Sequence, residues 1–233
     1  LGPIFFQPSE ILKFGFILYL SSWLSSKQLN VSSFQFGFLP FLSMIGIVAG
    51  LLIMQPDIGT LGIISISAGI LFFIGGGKFS QIGIGIILGM LLLFSLYLAS
   101  PYLRNRVSVF LNPSLDPQGI GYQLNQSLIA VGSGKILGKG FGMSSQKFNF
   151  LPEPTSDSIF SVFSEEFGFI GSLFLILMYY AFFWRGFYIS KNAPDSFGKF
   201  LAAGFTLIIT VQAFVNISAL LGVIPLTGVP LPF

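Results

Sequence analysis

The sequence predicts an all-α fold, a polytopic integral membrane bundle of helices, and three observations carry that prediction. Hydrophobic residues fill 53% of the 233 positions and charged residues only 8%, whereas a soluble domain carries roughly 25% charged residues. The mean hydropathy is +0.86. Six separate stretches approach the ~20 apolar residues that a spanning helix needs. So few charges cannot cover a water-facing surface, and so much apolar bulk excludes disorder. The 11 basic residues are scattered, with a net charge of +3, which is no nucleic-acid footprint. Cysteine and histidine are both absent. That removes disulfides, thiol catalysis and imidazole bases or ligands, and leaves Asp, Glu, Lys, Arg, Ser, Thr and Tyr for any chemistry.

The first expected span runs from about Ile11 to Leu24, with Pro8 and Ser9 as start signals. The others cover about Phe36–Met54, Leu61–Gly77, Ile82–Ser100, Phe169–Ile189 and Phe200–Ile224. Glycines such as Gly46, Gly50, Gly83, Gly85 and Gly89 suit close helix approach in lipid. The chain is taken as one transmembrane domain over residues 1–233. It reads as an internal piece of a larger protein, since it starts at Leu1 without Met and stops at Phe233 in an apolar Pro-rich run.

Between the fourth and fifth spans lies a long polar segment, residues 101–166, with five basic and five acidic residues. A connection of that length is rarely passive. Gln123 to Val131 fits a short amphipathic helix, and Gly132 to Lys135 with Gly138 to Gly140 reads as a flexible basic stretch. No GxxxxGK[ST] register fits there, so a phosphate-binding loop of that type is excluded. The short connections carry Lys27, Lys78, Arg185, Lys191 and Lys199 against one Asp195, and by the positive-inside rule they face the cytoplasm. The long segment and the Gln55-Pro56-Asp57 turn then lie outside.

Ionisable residues near spans are functional candidates, because charge is costly in lipid. Glu10 and Lys13 share a helix face at i and i+3, as an insertion-aiding ion pair or as part of a cavity. Asp57 caps the next helix or serves a site. Arg104 and Arg106 offer planar forks that match phosphate, or they anchor to lipid headgroups. Glu153, Asp157, Glu165 and Glu166 crowd the end of the polar segment. A carboxylate at a membrane boundary suits a general base, and Asp157 is equally placed to cap the helix that follows.

Five blocks in order resemble one family: Phe6-Gln7-Pro8-Ser9-Glu10 with Lys13; Gln55-Pro56-Asp57-Ile58-Gly59-Thr60; Asn112-Pro113 to Asp116-Pro117 with Gly121-Tyr122-Gln123-Leu124; Leu151-Pro152-Glu153 with Asp157 and Glu165-Glu166-Phe167-Gly168; and Gln212, Asn216, Gly222, Pro225 and Thr227 to Phe233. The chain resembles the SEDS proteins of bacterial division, elongation and sporulation along essentially its whole length. The resemblance implies a multi-pass enzyme of about ten helices in the bacterial cytoplasmic (inner) membrane, of which this chain holds about the fourth to the ninth. The implied activity is a peptidoglycan glycosyltransferase that polymerises lipid II on the extracytoplasmic side. A class B penicillin-binding protein and other divisome or elongasome membrane proteins are the implied partners. The catalytic Asp falls on Asp157. Gln7, Glu10, Lys13, Asp57, Arg104, Arg106, Gln123, Glu153, Gln212 and Asn216 are the expected substrate-binding set. No cofactor is required outright, and a divalent cation (Mg or Mn) held by carboxylates is the one left open. Thr155-Ser156-Asp157-Ser158 favours the FtsW-like and SpoVE-like members over elongation. A lipid II flippase and a scaffold recruiting a penicillin-binding protein are the competing functions.

Overall fold

The computed structural model describes residues 7–26, 30–146, 152 and 156–232. Among these, every regular element is helical. Helix α1 spans Pro8–Leu24, α2 Leu39–Met54 behind a π-turn at Phe34–Phe38, α3 Ile58–Ile74, and α4 Phe79–Ala99. Helix α5 spans Pro101–Leu111, α6 Ile120–Ser133, α7 Ile159–Lys191 and α8 Ser196–Leu220. Among the described residues four stretches, Phe34–Met54, α4, α7 and α8, are long and apolar enough to cross a membrane. Helices α1 and α3 have 17 residues each, at the lower end of the ~17–25 range for a span. All six expected spans are therefore helices, and the chain is a multi-pass membrane protein.

Local chemistry sets the ends. Pro8 opens α1, where its missing N–H costs nothing. The Asp57 carboxylate accepts the Thr60 N–H at 3.0 Å and starts α3. Gln81 accepts the Lys78 N–H at 2.8 Å and donates to the Ser32 carbonyl at 3.1 Å, so it closes the start of α4 while buried. The Asp116 carboxylate takes the N–H groups of Gly119 and Ile120, each at 2.9 Å, at the entry to α6. That helix covers the amphipathic stretch expected from Gln123 to Val131 and extends it at both ends.

The chain divides into two compact units, residues 1–89 with 182–211, and residues 90–181 with 212–233. In the first, α1, α2, α3 and the start of α8 share an apolar core. Ile17, Leu20 and Leu24 from α1 join Ile64, Ala68 and Leu71 of α3, and each set recurs at helical spacing along one face. Phe41 of α2 stacks on Phe72 of α3 with ring centroids 4.3 Å apart.

The second unit holds the polar segment. It is built of α5, a 3-10 turn at Pro113–Leu115, α6 and the first part of α7. Helix α7 is broken at Gly168, whose φ of 65° and ψ of −163° no other residue adopts readily. The break frees backbone groups that would otherwise pair within the helix, and the stretch after α6 satisfies them. Phe169 and Ile170 donate to the carbonyls of Lys135 and Ile136 at 2.8 and 3.2 Å, while Lys139 and Gly140 donate to those of Glu165 and Glu166, each at 3.0 Å. The Gly/Lys stretch, expected to be flexible, is thus fastened along the broken helix. Gly138 is needed here, because a Cβ at that position would lie 2.1 Å from the Glu166 carbonyl oxygen.

Candidate functional site

Helix α8 ends at Leu220, and the chain leaves it through Gly222 at φ +69°. The stretch that follows contains Pro225, Pro230 and Pro232, which cannot continue a helix or donate N–H bonds. Its carbonyls are instead collected by side chains. Arg106 Nη1 of α5 donates to Leu226 at 2.7 Å, and Gln212 Nε2 of α8 to Pro230 at 2.9 Å. The Tyr179 hydroxyl of α7 donates to Pro232 at 2.7 Å. Asn216 Nδ2 serves two chain segments at once, donating to Val229 and to the Asp157 carbonyl, each at 2.8 Å. Asn216 is 3% exposed, so it acts as an internal strut.

Asp157 is half-buried just before α7. Its neighbour Ser158 is fully buried, donates to the Pro152 carbonyl at 3.0 Å and accepts from Gln123 Nε2 at 3.2 Å. The backbone around Asp157 is therefore held by α6 through Gln123 and by α8 through Asn216. On the other side stands Arg106, its guanidinium 4.6 Å over the Tyr102 ring. The two charged groups converge at Gly228. A Cβ there would lie 3.6 Å from Asp157 Oδ2 and 3.7 Å from Arg106 Nη2, and Gly228 itself is exposed. A carboxylate and a guanidinium thus flank one open point, an arrangement able to take a proton and to neutralise a nearby anion.

Of the residues expected to form a site, Asp157, Arg106, Gln123, Gln212 and Asn216 lie in this one unit. The last three hold backbone and side-chain hydroxyl groups. Arg104 behaves differently from Arg106. Its Nε donates to the Tyr97 carbonyl at 3.2 Å and its Nη2 to that of Leu98, so it closes the C-terminal end of α4. Glu10 and Lys13 form an ion pair at 2.7 Å on α1, with the Lys13 side chain 1% exposed. Asp57 caps α3, and Gln7 is exposed at the start of α1 without a capping bond from its side chain. These four belong to the first unit. Glu153 lies outside the described residues.

Glu165 and Glu166, the neighbouring carboxylates of the acidic block, are enclosed. Glu165 is fully buried and pairs with Lys139 Nζ. It also accepts the Ser144 hydroxyl, the Ser145 hydroxyl at 3.0 Å and the Gln146 N–H at 3.2 Å. Glu166 is 7% exposed and accepts the Ser144 N–H at 3.4 Å. Among the described residues no group of three or more Asp or Glu side chains comes together to hold a metal ion. Gly228 and Ser158 stand in the sequence blocks Thr227 to Phe233 and Thr155 to Ser158 without a role of their own. The only signal for Gly228 was its place in Thr227-Gly228-Val229-Pro230.

A family model described as "Cell cycle protein", covering FtsW, RodA and SpoVE, matches residues 1–233. Stage V sporulation protein E of Bacillus subtilis (strain 168) is 40% identical over 232 residues, covering 100% of this chain and 63% of the relative. "Probable peptidoglycan glycosyltransferase FtsW" of Buchnera aphidicola subsp. Acyrthosiphon pisum is 39% identical over 236 residues, covering 100% of this chain and 59% of the relative. The chain spans roughly three fifths of the length of these curated relatives. A solved structure described as "Structural coordination of polymerization and crosslinking by a peptidoglycan synthase complex" superposes with a TM-score of 0.76 at 27% identity, over 100% of this chain and 64% of that one. The crystal structure of the Thermus thermophilus rod shape determining protein RodA gives 0.65 at 23% identity, over 100% and 59%, and shares the fold.

Proposed function

Because this chain belongs to the FtsW–RodA–SpoVE family of cell cycle proteins, we propose that the full-length protein is a peptidoglycan glycosyltransferase that polymerises lipid II, with Asp157 as general base. The observation that carries this reading is the convergence of Asp157 and Arg106 on exposed Gly228. In the proposed step the 4-hydroxyl oxygen of the acceptor GlcNAc bonds to C1 of the donor MurNAc. The bond from C1 to the diphosphate oxygen breaks, and undecaprenyl diphosphate leaves with the electron pair. The hydroxyl proton goes to the Asp157 carboxylate, and Arg106 offsets the charge that grows on the diphosphate. Without histidine in the chain, a carboxylate is the natural base at this boundary.

Gln123 and Asn216 serve by holding the backbone that carries Asp157, and Gln212 by holding the wall at Pro230. Glu10, Lys13, Gln7, Asp57 and Glu153 are assigned to binding of the lipid-linked substrate. The solved structure described as a peptidoglycan synthase complex that coordinates polymerization and crosslinking supports a crosslinking partner, a class B penicillin-binding protein. The reaction is placed on the outer face of the bacterial cytoplasmic membrane. Supporting this, Lys78, Arg185, Lys191 and Lys199 mark the opposite ends of the spans.

The deciding experiment reconstitutes the full-length protein and its partner with lipid II and scores two products. Glycan polymer without enhanced lipid II scrambling is expected. Scrambling without polymer would favour a flippase, and neither product would favour a scaffold. In the same protein, a reporter beside Ser114 is expected on the outer side, and a cytoplasmic signal there would overturn the orientation.

A further inference from the structure

Gly228 is exposed while the next residue, Val229, is 2% exposed. It therefore sits at the mouth of the site, with buried backbone immediately behind it. That backbone is fixed on both sides. Leu226 is held by Arg106, and Val229 by the same Asn216 amide that holds Asp157. The wall, the base and the cation are thus tied into one frame, and the side chain at position 228 is the one that would enter the space between the two charged groups.

We propose that Gly228 is a positioning residue, whose missing Cβ keeps open the gap between the Asp157 carboxylate and the Arg106 guanidinium through which the reacting hydroxyl and diphosphate groups pass. The inference rests on the polymerase reading and deepens it. A methyl group at 228 would stand in van der Waals contact with both Asp157 Oδ2 and Arg106 Nη2, at 3.6 and 3.7 Å. By themselves these are ordinary van der Waals distances. With substrate bound, the same volume is needed by the reacting groups, so the substitution obstructs the reaction and leaves the fold intact.

Position 228 has a positive φ, and any side chain there strains the backbone. The molecule supplies a matched control. Gly222, in the same irregular stretch, has the same φ of +69°, but a Cβ there would meet only methyl groups of Leu124 and Leu128 at 3.7 to 3.9 Å. Gly222→Ala and Gly228→Ala thus both place a side chain at a φ of +69°, and only the second narrows the gap. Asparagine adds a second distinction. It adopts the left-handed region more easily than alanine does, yet it occupies more volume.

The test measures polymerisation rate per folded molecule and thermal stability for Ala and Asn at both positions, in the full-length protein with its partner. At 228 the rate is expected to fall in the order Gly, Ala, Asn, with Gly228→Ala roughly tenfold to 10²-fold slower, the scale of a small misplacement of reacting groups. Stability is expected in the different order Gly, Asn, Ala. At 222 the rate stays within about threefold for both variants, because only backbone strain is added. Substrate binding at 228 weakens less than turnover falls. Equal rates at the two positions, or a rate order at 228 that follows stability, would overturn the inference while an inactive Asp157→Asn leaves the polymerase reading standing. A fully active Asp157→Asn would overturn that reading and this inference with it.

Discussion

Asp157 and Glu165 stand in the same acidic block, and their surroundings are opposite. Glu165 is fully buried, and its two oxygens are occupied by Lys139, Ser144, Ser145 and Gln146. Asp157 is half-buried beside exposed Gly228, and its backbone carbonyl accepts from Asn216. A carboxylate wrapped in donors is stabilised as an anion and has no access to a substrate proton. One at an open edge can exchange a proton with whatever enters. Burial thus divides carboxylates of similar sequence context into a structural fastening and a group at an accessible edge, the proposed base. The fastening ties the stretch after α6 to the break in α7, while Asp157 and Arg106 both approach Gly228.

The sharpest way to break this comparison is to remove the cation on the reactive side. Arg106→Ala is expected to lower polymerisation by about 10²–10³-fold, the usual loss when one donor to a developing negative charge is deleted. Arg104→Ala should stay within about threefold, because Arg104 is turned onto the carbonyls of Tyr97 and Leu98 and an exposed contact of that kind contributes little. Comparable losses in the two variants would show that the guanidinium at Gly228 has no special place.

A smaller effect is expected on the fastening side, and it should appear in stability. Lys139→Met removes the cation from a fully buried carboxylate and is expected to cost about 1–3 kcal/mol, less than a wholly buried pair because Lys139 is partly exposed. Glu165→Gln should cost less, since the freed Lys139 ammonium can turn to water. Thermal unfolding of the full-length protein checks the order, together with polymerisation per folded molecule, which should be nearly unchanged in both. Activity lost at unchanged stability would move Glu165 into the reactive group.

Much of the helical framework was legible in the sequence because apolar length alone sets it. The six expected spans correspond to α1, α2, α3, α4, α7 and α8. Helix α5 was not foreseen, since Pro101–Leu111 is only 11 residues long and mixes Arg104, Asn105 and Arg106 into its apolar positions. That omission also explains why the two arginines looked like a pair. Residues two apart on a helix point to different faces, and the side chains of Arg104 and Arg106 diverge accordingly. The break at Gly168 was half legible. The expected span starts at about Phe169, whereas the helix begins at Ile159 and breaks at Gly168. Contacts between distant residues, such as Lys139 with Glu165 or Asn216 with Asp157, have no local signature. Gly228 was hidden for the same reason, because a glycine's role lies in what its neighbours leave room for.

The measurement that bears most directly on the central claim is polymerisation of lipid II by the full-length Asp157→Asn protein at normal membrane abundance. Asparagine keeps the size of the side chain and much of its capping ability, and it leaves in place the backbone carbonyl that Asn216 holds. If Asp157 were only a cap or a strut, stability would change by at most about 1 kcal/mol and the rate would stay near that of the native protein. As general base its loss is expected to slow polymerisation by about 10²–10⁴-fold with the fold intact. Near-native polymerisation by Asp157→Asn would contradict the account.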